Sequence, residues 1–291
     1  MPLIFALCLI LVIFNFSFLP HLLAEVSMPF HNACVHFTPE GEWRDAYLGI
    51  VCGDNLQKDS FFNALRVTGL LHLMVVSGSH LVFLEIIVRK ILTRNSKIIC
   101  VILILFTAMT SFQPPVVRSL LSIFVRAASS RYKLHWPETQ VVLIAGFLCW
   151  GLFPEWIANY SFILSWAAAL SLASSSNIKG IYRHIFIYLF LIAFIGPLGV
   201  SHPISIVLNW LLAPLMGGLL FPLSLAIYVL PFLQPVGDFC WMIFDKLLVF
   251  IASNVDYSAV GLTYTVAVLW PLLWCAHLAL YVTHVYRRRY G

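Results

Sequence analysis

Charge is what this sequence has least of. Only 10% of its 291 residues are Asp, Glu, Lys or Arg, where a soluble domain carries about 25%. So few polar groups cannot cover a surface facing water, and most of the outside must face lipid. The signatures of catalysis are missing too. No HxHxDH cluster, no HExxH, no GxSxG elbow and no glycine-rich loop ending in GK[ST] occurs in the sequence. The expectation is a protein that is not an enzyme, takes no metal and no cofactor, and does not power transport by its own nucleotide hydrolysis. Internal repeats, low-complexity tracts and the period-2 alternation of barrel strands are also absent.

What is present is apolar: 61% of the residues are hydrophobic and the mean hydropathy is +0.94. Apolar runs recur at 2–19, 64–88, 98–112, 115–130, 139–153, 159–175, 185–200, 204–218, 219–233 and 263–286. Many fall short of the roughly 20 residues that a straight helix needs to cross about 30 Å of hydrocarbon. Several are broken, at Gln113-Pro114-Pro115, Gly196-Pro197, Ala213-Pro214, Gly217-Gly218 and Pro222. Broken helices occur at membrane depth where they are buried in protein or line a watery cavity; packing kinks are the alternative at each site. The fold class expected is all-α, a polytopic transmembrane helical bundle of about ten crossings, some broken or re-entrant, with a small extracytoplasmic N-terminal segment.

Basic residues orient such a bundle, because basic loops stay in the cytoplasm. Of 17 Lys and Arg, 12 fall in four groups: Arg89-Lys90-Arg94-Lys97, Arg126-Arg131-Lys133, Lys179-Arg183 and Arg287-Arg288-Arg289. These are read as inside, with the C-terminus cytoplasmic. The linkers at Gln113-Pro114-Pro115, Trp150 to Tyr160, Ser201-His202-Pro203 and Leu233 to Gly237 carry no Lys or Arg and are read as outside. The alternation closes if 238–254 lies flat on the outer interface, with Asp238, Asp245, Lys246 and Ser253 as its polar stripe.

Residues 1–24 read as an uncleaved membrane anchor, since no basic residue precedes the apolar stretch and that stretch is long for a signal peptide. Residues 25–60 are the sizeable polar segment, placed outside, and 61–291 form the transmembrane domain. Cys34 and Cys52 lie in that outer segment. An oxidising compartment permits a bridge between them, with two unpaired thiols as the alternative.

The segment Ala64 to Ile91, ALRVTGLLHLMVVSGSHLVFLEIIVRKI, is the most informative. Ionisable residues at membrane depth are costly and mark functional interiors; here they are Arg66, His72, His80 and Glu85. On a straight helix Thr68, His72 and Ser79 lie roughly 130° from Arg66, Ser77 and His80. A break at Ser77-Gly78-Ser79 would turn both sets inward, because glycine permits the backbone and serine satisfies freed amides. The expectation is two half-helices hinged at Gly78 and lining a cavity; an unbroken helix whose histidines bond to neighbours is the alternative. A second candidate set is Pro114-Pro115-Val116-Val117-Arg118-Ser119 followed by Arg126. Arg118 and Arg126 lie about 80° apart round a helix and can border one groove. Arginine is always charged and forked, and suits phosphate. Arg126 also reads as an anchor at the cytoplasmic end.

The run Leu71-His72-Leu73-Met74-Val75-Val76-Ser77-Gly78-Ser79-His80 resembles the HLxxxSGxH motif of the ComEC family of competence proteins. In the same order come a Pro-Pro-x-x-Arg helix start, Leu152-Phe153-Pro154, Tyr160 to Ser165, Pro203-Ile204-Ser205 to Asn209, and Leu212-Ala213-Pro214-Leu215. The resemblance covers about 53–255. It implies a channel passing single-stranded DNA across the cytoplasmic membrane during natural transformation. His72, Ser77, Gly78 and His80 would then belong to its translocation core, and Arg118 would be the arginine of the later helix. It also implies partners: a DNA receptor, a separate nuclease and a cytoplasmic DNA-translocating ATPase, with a homo-oligomer left open. Relatives carry a larger extracytoplasmic OB-like domain, of which 25–60 would be a remnant, and many carry a C-terminal metallo-β-lactamase-like domain. Ser79 and Ser119 replace the apolar or small residues usual at those positions. A small-solute or ion transporter and a non-conducting membrane scaffold from the same family are the competing functions.

Overall fold

The computed structural model describes residues 18–54, 60–70, 74, 78–92, 95–195, 204–254 and 266–290. His72 and Ser77 lie outside the described residues, as do residues 1–17, the Gly196-Pro197 break and the 201–203 linker. Among the described residues the regular structure is all helical. Those of 25–54 form helices and turns with no strand, so the OB-like reading of that stretch, a β-fold, finds no β element there.

In chain order the helices are α1 (Phe18–His36), α2 (Arg44–Tyr47), α3 (Ser60–Val67), α4 (Gly78–Ile87), α5 (Ser96–Met109), α6 (Pro114–Arg131) and α7 (Glu138–Leu152), then α8 (Tyr160–Ser174), α9 (Ile181–Ile195), α10 (Ile204–Leu215), α11 (Phe221–Ile227), α12 (Gln234–Ser253) and α13 (Val266–Tyr290). Wide π turns extend three of them, at Leu48–Cys52, Val88–Leu92 and Met216–Leu220. The last joins α10 to α11, so Ser205–Ile227 forms a 23-residue apolar helix, long enough to cross a membrane. Shorter apolar helices run over Ser96–Met109, Glu138–Leu152, Tyr160–Ser174, Ile181–Phe194 and Val268–Leu280.

The chain forms two compact units: one comprises Met1–Pro20, Leu121–Gly199 and Gly261–Gly291, the other His21–Leu120 and Val200–Val260. Their helix ends follow from local chemistry. Asn95 caps α5 by accepting the Lys97 N–H at 3.0 Å, and Asn159 caps α8 by accepting that of Phe162 at 3.2 Å. The α3 helix stops at a left-handed Gly69 (φ +72°). There the Leu70 N–H reaches the Leu65 carbonyl at 2.8 Å and the Gly69 N–H that of Arg66 at 3.2 Å, the Schellman closure that favours glycine. The apolar run 64–88 is therefore turned at Gly69, and residues 78–87 are helical. The hinge expected at Gly78 involves residues 75–77, which lie outside the described residues.

In the unit built from 121–199 and 261–291, the core is aromatic. Gly146 of α7 leaves room for the Trp166 indole of α8, which a Cβ there would overlap. The Trp166 Nε1–H donates to His277 Nε2 of α13 at 3.0 Å. Trp270 and Trp274 flank Trp166 edge-on at 5.8 and 5.7 Å, and Trp270 donates to the Ile157 carbonyl at 2.9 Å. Edge-to-face packing suits the ring quadrupoles.

In the other unit α12 packs on α3. Phe61, Trp241 and Phe244 meet edge-to-face, with Phe61–Trp241 centroids 6.3 Å apart and Trp241–Phe244 5.9 Å apart. Of the polar stripe read at 238–254, Asp238 is bonded to Tyr47 at 2.8 Å, while Lys246 and Ser253 are exposed, as are Val236, Phe239, Ile243, Leu247 and Phe250.

Candidate functional site

The unit of 21–120 and 200–260 brings together stretches far apart in sequence, and glycine is how it does so. The first residue of α4, Gly78, lies against the first turns of α6. A Cβ on Gly78 would overlap Ser119 Oγ and stand 3.1 Å from the Pro115 carbonyl oxygen. Nine residues earlier, a Cβ on Gly69 would lie 3.0 Å from Cβ of Ser205 in α10. On α4 itself Phe83 fills the space that a side chain on Gly217 would need. Close approach through small residues is how helices pack where no hydrophobic force separates lipid from protein.

His80, close to the start of α4, is 2% exposed, and its ring stacks at a tilt on Phe221 of α11 with centroids 4.7 Å apart. Thr68, also buried, returns its hydroxyl to the Ala64 carbonyl at 2.7 Å. On α6, Val116, Val117, Arg118, Ser119 and Leu120 are all buried, so this early stretch of the helix is enclosed on every side. Arg118 is 6% exposed, and its Nη2 donates to Ser119 Oγ at 3.3 Å. A guanidinium cannot shed its proton, so α6 carries a fixed positive charge next to the Gly78 contact.

The structure does not gather all the residues singled out from the sequence. Glu85 forms an i,i+4 ion pair with Arg89 at 2.8 Å, so its charge is answered one turn along the chain. Arg66 is exposed on α3, whereas His80 is buried. Arg126 is exposed and pairs with Glu138, the first residue of α7. Arg118 is thus enclosed, and Arg126 is exposed in its ion pair.

Beside this contact lies a cap. Cys34 on α1 and Cys52 after α2 are joined by a disulfide, with Cα atoms 5.8 Å apart. The Tyr228 hydroxyl, just past α11, lies 2.8 Å from Thr38 Oγ1 and 3.3 Å from Cys52 Sγ. Tyr47 donates to Asp238 of α12; burial first, then the Asp238 carboxylate, pushes its phenol above the ordinary tyrosine range. Gln234 donates to the Glu40 carbonyl at 2.8 Å, and Gln113 donates to the Gly53 carbonyl. His31 Nδ1 donates to the Met109 carbonyl at 2.9 Å.

Gln113, Tyr47, Tyr228 and Ser205 carry these connections, and sequence reasoning does not single out any of the four as a site residue. Gln113 stands before two prolines in a linker without charge, which is the one available signal. Among the described residues no group of His, Cys, Asp and Glu has the geometry to hold a metal ion.

Over residues 50–287 the sequence matches the family described as Competence protein. No curated protein and no solved structure matches the chain. The match spans most of the chain, and the chain belongs to the competence protein family.

Proposed function

We propose that this member of the competence protein family is the channel component that passes one strand of DNA across the cytoplasmic membrane during natural transformation. The observation that carries the proposal is the meeting of Gly78 with Pro115 and Ser119, directly beside the enclosed Arg118. Two motifs some 40 residues apart in sequence thus form one junction holding a permanent positive charge, the charge type that a phosphate backbone requires.

The proposed chain is multi-pass, with about ten crossings and a cytoplasmic C-terminus. Contacts of the cap support part of that orientation. The outer segment 25–60 touches the Gln113 linker through Gly53 and the 233–237 linker through Gln234. All three read as outside on the distribution of basic residues alone. In this proposal a DNA receptor delivers the strand, a separate nuclease removes its complement, a cytoplasmic ATPase pulls, and the chain itself catalyses nothing.

The test is transformation in a strain lacking the protein, complemented with wild type or Arg118→Ala at matched membrane abundance. Loss of uptake in the deletion strain and in Arg118→Ala, with DNA still bound at the cell surface, is the expected result. Undiminished transformation in the deletion strain would sink the channel assignment.

A further inference from the structure

Between α5 and α6 the chain reverses through Thr110, Ser111, Phe112 and Gln113, and two consecutive residues there are left-handed without being glycine: Ser111 at φ +52° and Phe112 at φ +50°. Such a conformation is disfavoured for any residue with a Cβ, and most of all for a bulky one. It persists only where surroundings over-determine it. Inside the turn the Phe112 N–H reaches the Thr107 carbonyl at 3.0 Å and the Gln113 N–H that of Thr110 at 3.2 Å. Among the described residues, two side-chain contacts tie the turn to the cap. His31 binds the carbonyl of Met109, on the near side. The Gln113 side chain binds the carbonyl of Gly53, on the far side.

Gln113 also starts α6. Its carbonyl accepts the N–H groups of Val116 and Val117, each at 3.0 Å, ahead of the enclosed Arg118 and Ser119. Gly53 is itself left-handed (φ +78°), and a Cβ there would stand 2.9 Å from Gln113 Nε2. The residue next to the disulfide is thus shaped to receive this amide.

We propose that Gln113 is a positioning residue: its side-chain bond to Gly53 holds the strained 110–113 turn closed, and so seats the start of α6, with Arg118 and Ser119, against Gly78. This rests on the channel reading for its consequence in DNA uptake, but not for its conformational content. On the α6 side, the cap acts through this amide on a turn that would otherwise relax.

The experiment compares the full-length protein in membranes carrying Val116→Cys with Gln113 intact, with Gln113→Ala, with Gln113→Met (same length, no donor), and with each of these plus Ser111→Gly. Labelling of the introduced thiol at position 116 by a water-soluble maleimide is read by peptide mapping, and uptake is measured in parallel without the Val116→Cys substitution. Val116 is fully buried, so little label is expected with Gln113 intact. Loss of the amide should raise labelling and lower uptake, each by about tenfold, the effect of one hydrogen bond near the top of its range. Ser111→Gly removes the cost of the left-handed residue and should restore both. Unchanged labelling in both Gln113 variants, or a failure of Ser111→Gly to restore protection, overturns the proposal. If Arg118→Ala transports normally, the channel reading fails while the labelling still decides the role of Gln113.

Discussion

Ser119 occupies the space in which a side chain on Gly78 would have to stand. Gly78 is the first residue of α4 and Ser119 lies in the second turn of α6, so the contact fixes how these helices cross. Gly78→Ala is expected to push α4 off α6, with an overpacking cost of about 1–3 kcal/mol and loss of uptake. Because the nearest clash is with the serine hydroxyl, Ser119→Gly in the same chain should recover part of the loss. A measurement of membrane abundance and transformation frequency across the two single variants and the double variant checks this. Simple additivity of the two substitutions would mean that the residues do not meet.

Arg118 should tolerate lysine poorly. Its guanidinium is enclosed and reaches Ser119 Oγ at 3.3 Å, and lysine keeps the charge but loses the fork. Arg118→Lys is expected to retain a fraction of wild-type uptake, and Arg118→Gln essentially none, both at normal abundance. Equal uptake by wild type and both variants would remove the charge from the site.

The Cys34–Cys52 bridge closes a loop of sequence separation 18, for which chain entropy gives a stabilisation of about 3 kcal/mol. Cys34→Ser and Cys52→Ser should lower membrane abundance to the same degree, and the double variant no further. Alkylation before reduction should leave both cysteines unlabelled in the wild type. Label on either would exclude the bridge.

Tyr47 ties the cap to α12 through Asp238 at 2.8 Å. Its phenol is held protonated above the ordinary range, by burial and then by Asp238. A group whose folded pKa is raised adds stability that is complete below its unfolded value, about 10, and that disappears as the pH climbs through the folded value. Thermal unfolding in detergent is thus expected to be indifferent to this group at neutral pH and to lose midpoint temperature above about pH 10. Tyr47→Phe should flatten that alkaline loss and cost about 1 kcal/mol at pH 7. An alkaline slope unchanged by Tyr47→Phe would rule out the mechanism.

How much of the molecule is legible in its sequence depends on how local the cause is. The helical character of the described residues follows from composition, while the hinge read at Gly78 involves residues 75–77, outside the described residues. Membership of the family is legible from the run ending at His80 and from the order of the motifs downstream of it. Glu85 reads as part of an interior, yet Arg89, one turn away, answers its charge; an i,i+4 pair looks the same in sequence whether buried or not. The Gly69 turn is hidden because a Schellman closure depends on one left-handed residue inside an unbroken apolar run. Helical phase alone pairs Arg126 with Arg118, whereas the Glu138 that engages Arg126 lies on the next helix. Ser119 is legible in sequence as the end of the run from Pro114 and as a departure from the family pattern; in space it is the partner of Gly78. Gln113, Tyr228 and Ser205 act across the fold, and long-range pairing of that kind leaves no periodic trace.

The most direct test of DNA passage is to catch the strand in the protein. Ser79, exposed beside buried Gly78 and His80 at the start of α4, is replaced by a photoreactive amino acid; Val101, exposed on α5, serves as the control. Cells taking up end-labelled DNA are then irradiated. The expected result is a covalent adduct between position 79 and one strand only, appearing during uptake, with none at position 101. Uptake that proceeds normally with no adduct at 79, or with equal adducts at both positions, would contradict passage of DNA through this site.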